Sequence, residues 1–384
     1  MSRAIIRDAL VKRIAIFCDG TWNRLSAPNP THVARLARAV TSSAADGRTQ
    51  LVYYQQGVGT GRGSGKLAKS MDKWLGGALG WGLDDNIVEA YRNLGFWYEP
   101  GDEIFIFGFS RGAYTARSLA GLIRSAGIPP RAHLGDLPQA MAHYRDRGED
   151  THPDSPRMRG FRQRFAPLTA TSDEDLAWRR GQGDEDSFLL RLAYLGVWDT
   201  VGALGLPGVF GWLSKQINRK YAFHDAQLSR SVRGARHAVA IDERRKLYPP
   251  TLWKNLDQLN GEAAAGQARP YLQQWFPGVH SVVGGSGVVP QLSAFTADWI
   301  AAGARDLDLE FDRAMLHEIT GDQDAGVDAA ASVQVAGLGS LFGQLLVDRK
   351  GPDAAADVSQ AARARIRLRP DYRPAPLSRV IDQL

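Results

Sequence analysis

Four short runs of apolar residues, each stopped by Asp or Gly, constrain this chain more than any other feature. They are Ile14–Cys18 before Asp19-Gly20, Leu51–Tyr54 ahead of Gly57 and Gly59, Ile104–Phe107 before Gly108, and Leu192–Trp198 before Asp199. Runs this short, without polar alternation, read as strands buried on both faces, as in a parallel sheet packed between helices. Between the second and third runs, Asp84 or Asp85 offers a helix cap, and Ile87, Val88, Tyr91, Leu94 and Tyr98 follow at near-helical spacing. Strand and helix in alternation predict an α/β fold with a mostly parallel sheet flanked by helices.

Past Ile128-Pro129-Pro130 the pattern changes. Residues 131–188 are dense in Arg, Asp and Glu and predict a helical or irregular insertion or cap region. A glycine-rich apolar loop follows Asp199, carrying Leu204, Leu206, Val209, Phe210, Trp212 and Leu213, and residues 201–235 are expected as a lid or apolar loop, or as ordinary core. Further strands are predicted at His237–Ile241 and Phe276–Val279, and helices over 291–303 and 308–320. All 384 residues are read as one α/β domain.

Composition narrows the class. Hydrophobic residues at 44% and charged residues at 23% exclude a disordered chain and a polytopic membrane protein. Cys18 is the single cysteine, so folding needs no disulfide and no oxidising compartment. The apolar run near Ile5 is too short for a signal-peptide core, which leads to the expectation of a cytoplasmic chain without a cleavable signal peptide. The uncharged stretch Ala329 to Val347 contains Ser332, Gln334, Ser340 and Gln344 and reads as a buried or interfacial helix rather than a membrane span. The net charge is +6, with 38 arginines among the 47 basic residues; affinity for anionic surfaces is one reading, and the plainer one, since the excess is small and spread out, is a coding bias toward arginine.

Gly108-Phe109-Ser110-Arg111-Gly112 matches G-x-S-x-G, the nucleophile elbow. The serine directly follows an apolar strand, and Ala113, Ala116, Leu119, Ala120 and Ile123 continue as a helix with a small-residue face. A turn this sharp needs glycine where neighbours crowd, and it lifts Ser110 above the sheet beside the positive end of the helix. The plainer alternative is a βα turn with a capping serine. A serine nucleophile requires a histidine base and an acid to orient it, in the chain order Ser, Asp or Glu, His. Asp199 closes a buried strand and is the candidate acid. Of the downstream histidines, His280 follows a strand-like segment and precedes Gly284-Gly285-Ser286-Gly287, which makes it the candidate base. His237 lies inside a strand and reads as a satisfied core residue, His317 lies on a helix, and His224 in a polar stretch.

An oxyanion needs two backbone donors. Arg111 N–H is one candidate, and the turn Asp19-Gly20-Thr21-Trp22-Asn23 offers the other through Gly20 or Thr21; alternatively Asp19 and Asn23 build an Asx-type turn. Cys18 has no elbow of its own. The glycines from Gly57 to Gly65 fail both phosphate-loop patterns, since Thr60 and Leu67 stand where Walker A needs Gly and Ser or Thr. Neither a Cys/His cluster nor H-E-x-x-H is present, so no metal and no cofactor is expected.

Several segments together resemble an α/β-hydrolase domain family that includes the first class of type VI secretion phospholipase effectors. They are Ile16–Asn23, Tyr53–Thr60, Gly82–Ile87, Phe107–Ala113, Gly196–Val201 and Trp275–Ser281, in the family's order. The resemblance implies Ser110 as nucleophile, Asp199 as acid and His280 as base, and hydrolysis of carboxylic esters, in characterised members phospholipid acyl esters. After the histidine the family continues Ser-Asp-Val-Gly-Gly-Gly-Tyr, whereas this chain has Ser281-Val282-Val283-Gly284-Gly285-Ser286-Gly287. The expected function is a serine esterase acting on lipid or phospholipid acyl esters through an acyl-enzyme. The alternatives are a catalytically weak member that binds anionic lipid or a secretion partner, and an esterase of small soluble esters. Expected partners are the lipid or ester substrate, an anionic membrane and a secretion or immunity protein, with export by the type VI route and no nucleic acid.

Overall fold

The structure is a computed structural model that describes residues 11–58, 78–146, 148–202, 227–246, 248–261, 269–287, 289–321, 323 and 346–384. The glycines after Val58, the residues Phe210, Trp212, Leu213 and His224, and nearly all of the 329–347 stretch lie outside them.

Six strands pair in one parallel sheet: β1 (Arg13–Cys18), β2 (Gln50–Gln55), β3 (Glu103–Phe109), β4 (Leu192–Trp198), β5 (Val232–Ala240) and β6 (Tyr271–Phe276). Their order is β2-β1-β3-β4-β5-β6. The helices in chain order are α1 (His32–Ala39), α2 (Ala78–Trp97), α3 (Arg111–Ala126), α4 (Leu137–Arg145), α5 (Pro156–Phe165), α6 (Asp173–Gly181), α7 (Leu256–Asn260), α8 (His280–Val283), α9 (Pro290–Arg305), α10 (Arg313–Thr320) and α11 (Gln360–Leu368).

The period of two along each strand divides the core. Ile14, Ile16, Cys18, Ile104, Ile106, Leu195 and Val197 face α2, α3 and the helices after it, joined by Leu83, Tyr91, Leu119 and Ile123. Ala15, Phe17, Phe105, Phe107, Tyr194 and Trp198 face the other way, onto α1, α9 and α10. Each central strand is therefore buried on both sides, which is why it reads as unbroken apolar sequence. A third cluster sets Val239, Ile241 and Trp275 against Val358, Ala362, Ile366, Leu377 and Val380, docking the C-terminal segment beside β5 and β6.

Strand order reverses between β1 and β3, because β1 leads to β2 on one side while β3 lies on the other. In open parallel sheets this switch point opens a crevice at the carboxyl ends of the strands. Asp19 follows β1 and Ser110 follows β3, so both stand at that crevice.

Several boundaries differ from expectation. Asp84 and Asp85 lie inside α2 rather than capping it, and Asp84 pairs with Arg145. The last strand is Tyr271–Phe276, so Pro277, Gly278 and Val279 form a loop, with Gly278 at φ 113°. The helix expected from 308 starts at Arg313, capped by Asp312, whose carboxylate accepts the Met315 N–H. Residues 232–235, expected within a lid or loop, open β5. The 131–188 region holds three helices, short 3-10 turns and a two-stranded pair, Thr169–Ala170 with Phe188–Leu189. Its buried polar anchors sit at the C-terminal end of α3: Arg162 donates to Ser125 O, Arg124 pairs with Asp154, and Thr169 Oγ1 accepts the Ile128 N–H. Sixteen residues of α3 span about 24 Å. These anchors therefore stand near the end of α3 away from Ser110.

Candidate active site

The strand β3 ends at Phe109, and Ser110 turns the chain into α3 with φ 58° and ψ −122°. Few L-residues adopt such a conformation, and the surroundings enforce it. Ser110 N–H donates to Trp198 O at 3.1 Å, tying the turn to the end of β4. A Cβ at Gly108 would overlap the backbone of Gly112 and Ala113, and one at Gly112 would overlap the carbonyl oxygens of Cys18 and Asp19. The glycines of the motif thus let α3 start directly against both its own strand and the end of β1.

Asp199, also at positive φ (36°), ends β4, and its N–H donates to Ala238 O at 2.7 Å. His280 opens α8 after the loop from β6. The structure brings these three together in a continuous hydrogen-bonded chain: Ser110 Oγ lies 2.9 Å from His280 Nε2, and His280 Nδ1 lies 2.5 Å from Asp199 Oδ2. All three side chains are buried. The His280 ring is wedged between Phe109, at 4.6 Å between centroids, and Tyr248, edge-on at 5.0 Å. A Cβ at Gly284 would run into the Phe109 ring, so that glycine lets the segment after the histidine pass over the phenyl group.

The carboxylate of Asp199 has further partners. Oδ1 accepts the Ala240 N–H at 2.9 Å and Arg349 Nη1 at 2.6 Å, and Oδ2 accepts Arg349 Nη2 at 2.9 Å. Burial alone would raise this carboxyl, but the Arg349 charge and the hydrogen bonds from His280 and Arg349 prevail and hold it well below the usual carboxylate range. Asp199 is ionised throughout the neutral range. Arg349 escaped the sequence reading altogether. It lies 150 residues from Asp199, and one arginine among 38 carries no pattern.

A second buried carboxylate, Glu243, accepts the His280 backbone N–H at 3.2 Å and both the N–H and the side chain of Arg245 at 2.7–2.8 Å. Asp242 accepts the Gly278 N–H at 2.6 Å. These two acids hold the loop that carries His280. Val282, where the resembling family has Asp, is buried in apolar contact against the loop, near the Cα positions of Gly278 and Gly287.

The turn after β1 is built around Asp19. Its carboxylate accepts from Gly20 N at 2.7 Å, Thr31 Oγ1 at 2.9 Å and Tyr54 Oη at 2.5 Å. Burial pushes Asp19 up to about 6, against the lowering effect of those three donors. The expectation that Gly20 presents an N–H to an oxyanion is corrected here, since that N–H is spent on Asp19. Thr21 follows, with its Oγ1 buried and without a hydrogen-bond partner among the described residues, and Asn23 Nδ2 donates weakly to Thr21 O at 3.3 Å. Asp19 therefore orders the turn, through the Gly20 N–H rather than through the N–H two residues on that an Asx-type turn would use. Arg111 begins α3, so its N–H belongs to the outward-pointing first-turn amides. Its guanidinium is pushed down to about 10 by burial, with Tyr248 opposing.

The remaining candidates stand apart. His237 is fully buried, donates from Nδ1 to Gln273 Oε1 at 2.9 Å and accepts the Thr200 N–H on Nε2 at 3.2 Å, so it supports the residue after Asp199. Burial first, then Arg117, push it down to about 3, so it stays neutral. His317 is exposed on α10. Cys18 is buried, and burial and Asp19 push its thiol up to about 12, which leaves it un-ionised. Among the described residues no group of His, Cys, Asp and Glu could hold a metal ion, and no helix is long and apolar enough to cross a membrane.

Ser110, Asp199 and His280 fall within one family model. The model of the T6SS phospholipase effector Tle1-like catalytic domain matches residues 12–303. An uncharacterised protein of Saccharomyces cerevisiae is 27% identical over 241 residues, which is 61% of this chain and 31% of that protein. An uncharacterised protein from Pseudomonas aeruginosa of known structure is similar at 18% identity and TM-score 0.46, over 84% of this chain and 51% of the other. The structure of the Tle1 effector bound to the VgrG spike of the type 6 secretion system matches at 18% identity and TM-score 0.35, over 72% of this chain and 51% of the effector. The chain thus spans about a third of the yeast relative and about half of each solved chain. With 12–303 matched out of 384 residues, the chain belongs to the Tle1-like catalytic domain family of type VI secretion phospholipase effectors.

Proposed function

We propose that the chain is a serine hydrolase that cleaves carboxylic esters of lipid or phospholipid acyl chains. The observation that supports it most is the unbroken chain of hydrogen bonds from Ser110 Oγ through His280 to Asp199. In this reading Nε2 of His280 takes the Ser110 proton while Oγ attacks the acyl carbonyl. The resulting oxyanion is held by the N–H groups of Arg111 and Thr21. Return of the proton from His280 to the leaving alkoxide releases the alcohol, and water, activated by the same imidazole, hydrolyses the acyl-enzyme. Asp199 fixes the tautomer with Nδ1 protonated and stabilises the imidazolium.

Membership of a phospholipase effector family supports the lipid substrate, and with it export by the type VI route, contact with an anionic membrane and a secretion or immunity partner. The 384 residues act as one α/β-hydrolase-like domain in this proposal, with 131–188 as an insertion.

Ser110→Ala decides the chemistry. Wild-type protein is expected to be labelled by a fluorophosphonate probe and to release fatty acid from mixed phospholipid vesicles, read by mass spectrometry. The variant should do neither, with a loss of at least about 10³-fold in rate. Hydrolysis persisting in the variant would overturn the assignment. A chain-length series of p-nitrophenyl esters separates a lipid enzyme, whose rate rises with acyl length, from an esterase of short soluble esters.

A further inference from the structure

The acid of the proposed proton relay is not an isolated carboxylate. Arg349 enters from the C-terminal segment and forks onto both oxygens of Asp199 at 2.6 and 2.9 Å, while its two terminal nitrogens also donate to Ala240 O and Tyr248 O at 2.8 Å. Bidentate pairing fixes the plane of a carboxylate as well as its position. With Ala240 N–H on Oδ1, that plane leaves Oδ2 aimed at His280 Nδ1. The segment carrying Arg349 is itself clamped next to the site: Val347 N–H donates to Arg244 O, and Arg244 pairs with Asp348.

We infer that Arg349 is a positioning residue of the hydrolytic site, whose guanidinium aims the Asp199 carboxylate at His280 and offsets its charge. The inference rests on the Ser110–His280–Asp199 reading and deepens it. It lies beyond the part of the chain that the family model matches, residues 12–303.

The charged and titratable groups facing His280 decide what removing Arg349 does. Asp199 approaches from the end of β4, with Arg349 of the C-terminal segment on its carboxylate; Glu243, paired with Arg245, and Tyr248 come from the loop after β5, and Ser110 from the start of α3, with Arg111 close to Tyr248. His237, behind Asp199, is neutral. Arg245 is already engaged by Glu243 and lies 3.8 Å over the Tyr248 ring, so it is held away from the position Arg349 vacates. Without Arg349, Asp199 keeps its bond to His280 and loses its cation. The negative charge of Asp199 then faces His280 without an opposing cation, so the rate profile of Ser110 should move to higher pH.

The test is the second-order rate of fluorophosphonate labelling at Ser110, measured against pH in the full chain. Wild type should label and Ser110→Ala should not; failure of that control sinks the hydrolase reading and this inference with it. Given the control, Arg349→Gln should label about tenfold or more slowly at pH 7, with the midpoint of the rate profile about one unit higher. Arg349→Lys, which keeps the charge without the fork, should hold the midpoint near wild type at a reduced rate. Arg349→Ala should regain rate on adding millimolar guanidinium and not on adding sodium. Two results would overturn the inference: Arg349→Gln matching wild type in rate and midpoint, or a rate loss with an unmoved midpoint and no guanidinium rescue, which marks a merely structural arginine. Should Arg349→Gln fail to fold by circular dichroism, the lysine variant and the guanidinium arm carry the same decision.

Discussion

Asp19 and Asp199 are both buried carboxylates at strand ends, yet the protein moves them in opposite directions. Neutral donors alone surround Asp19, so burial wins and its pKa rises to about 6. Asp199 faces Arg349, and the cation wins. The signs give a prediction. A carboxyl raised in the folded state contributes stability that is full below its unfolded value near 4 and is lost as pH rises through about 6. Wild type should therefore lose up to about 3 kcal/mol relative to Asp19→Asn between pH 4 and pH 7. Urea titrations of both proteins across that range measure it, and a pH-independent difference would refute it. Asp199 works in the other direction: its contribution is present above the ordinary carboxylate range and falls away only in strong acid. That Ser110, Asp199 and His280 come together at one edge of the sheet was legible in the sequence because each follows a strand-like run at a turn. The state of Asp19 and the pairing of Arg349 with Asp199 were not, since both depend on neighbours brought from other parts of the chain.

At the scale of elements, the buried strands were the easiest to read and the edge strand β6 the hardest. In β1, β3 and β4 both faces are covered, so the apolar signal is unbroken. β6 closes the sheet and is half-buried along Tyr271–Gln274, so its glutamines mask it and the expected strand slid to Phe276–Val279. The start of α2 was missed for another reason: Gly80 and Gly82 lie in its first turns, and glycine is a poor advertisement for helix. The junction of β3 with its neighbours is where substitution should cost most. Phe107 stacks on Phe17 with centroids 4.5 Å apart and rings within 7° of parallel. Phe107→Ala is expected to destabilise by about 3–5 kcal/mol in equilibrium unfolding. Gly112→Ala forces a methyl group onto the end of β1, and should destabilise by about 1–3 kcal/mol while also abolishing probe labelling at Ser110. A variant that keeps wild-type labelling would show that α3 can retreat from β1 without disturbing the serine.

Across the whole molecule, the site draws on strand ends from residues 18 to 280 and on a C-terminal segment docked through Ile366, Leu377 and Val380. Ile366→Asp should loosen that dock. Limited proteolysis is then expected to cut within residues 350–384 faster than in wild type, and ester hydrolysis to fall in parallel; intact activity with an accelerated cut would uncouple the segment from the site. The two positive-φ residues of the relay, Ser110 and Asp199, have a wider consequence. At position 110 the backbone is one that glycine adopts at little cost and a side chain does not. Ser110→Gly should therefore be inactive yet more stable than Ser110→Ala, by about 1 kcal/mol in urea titration. If so, the turn keeps a side chain at a backbone that glycine would hold with less strain, so robustness alone does not account for the residue at position 110.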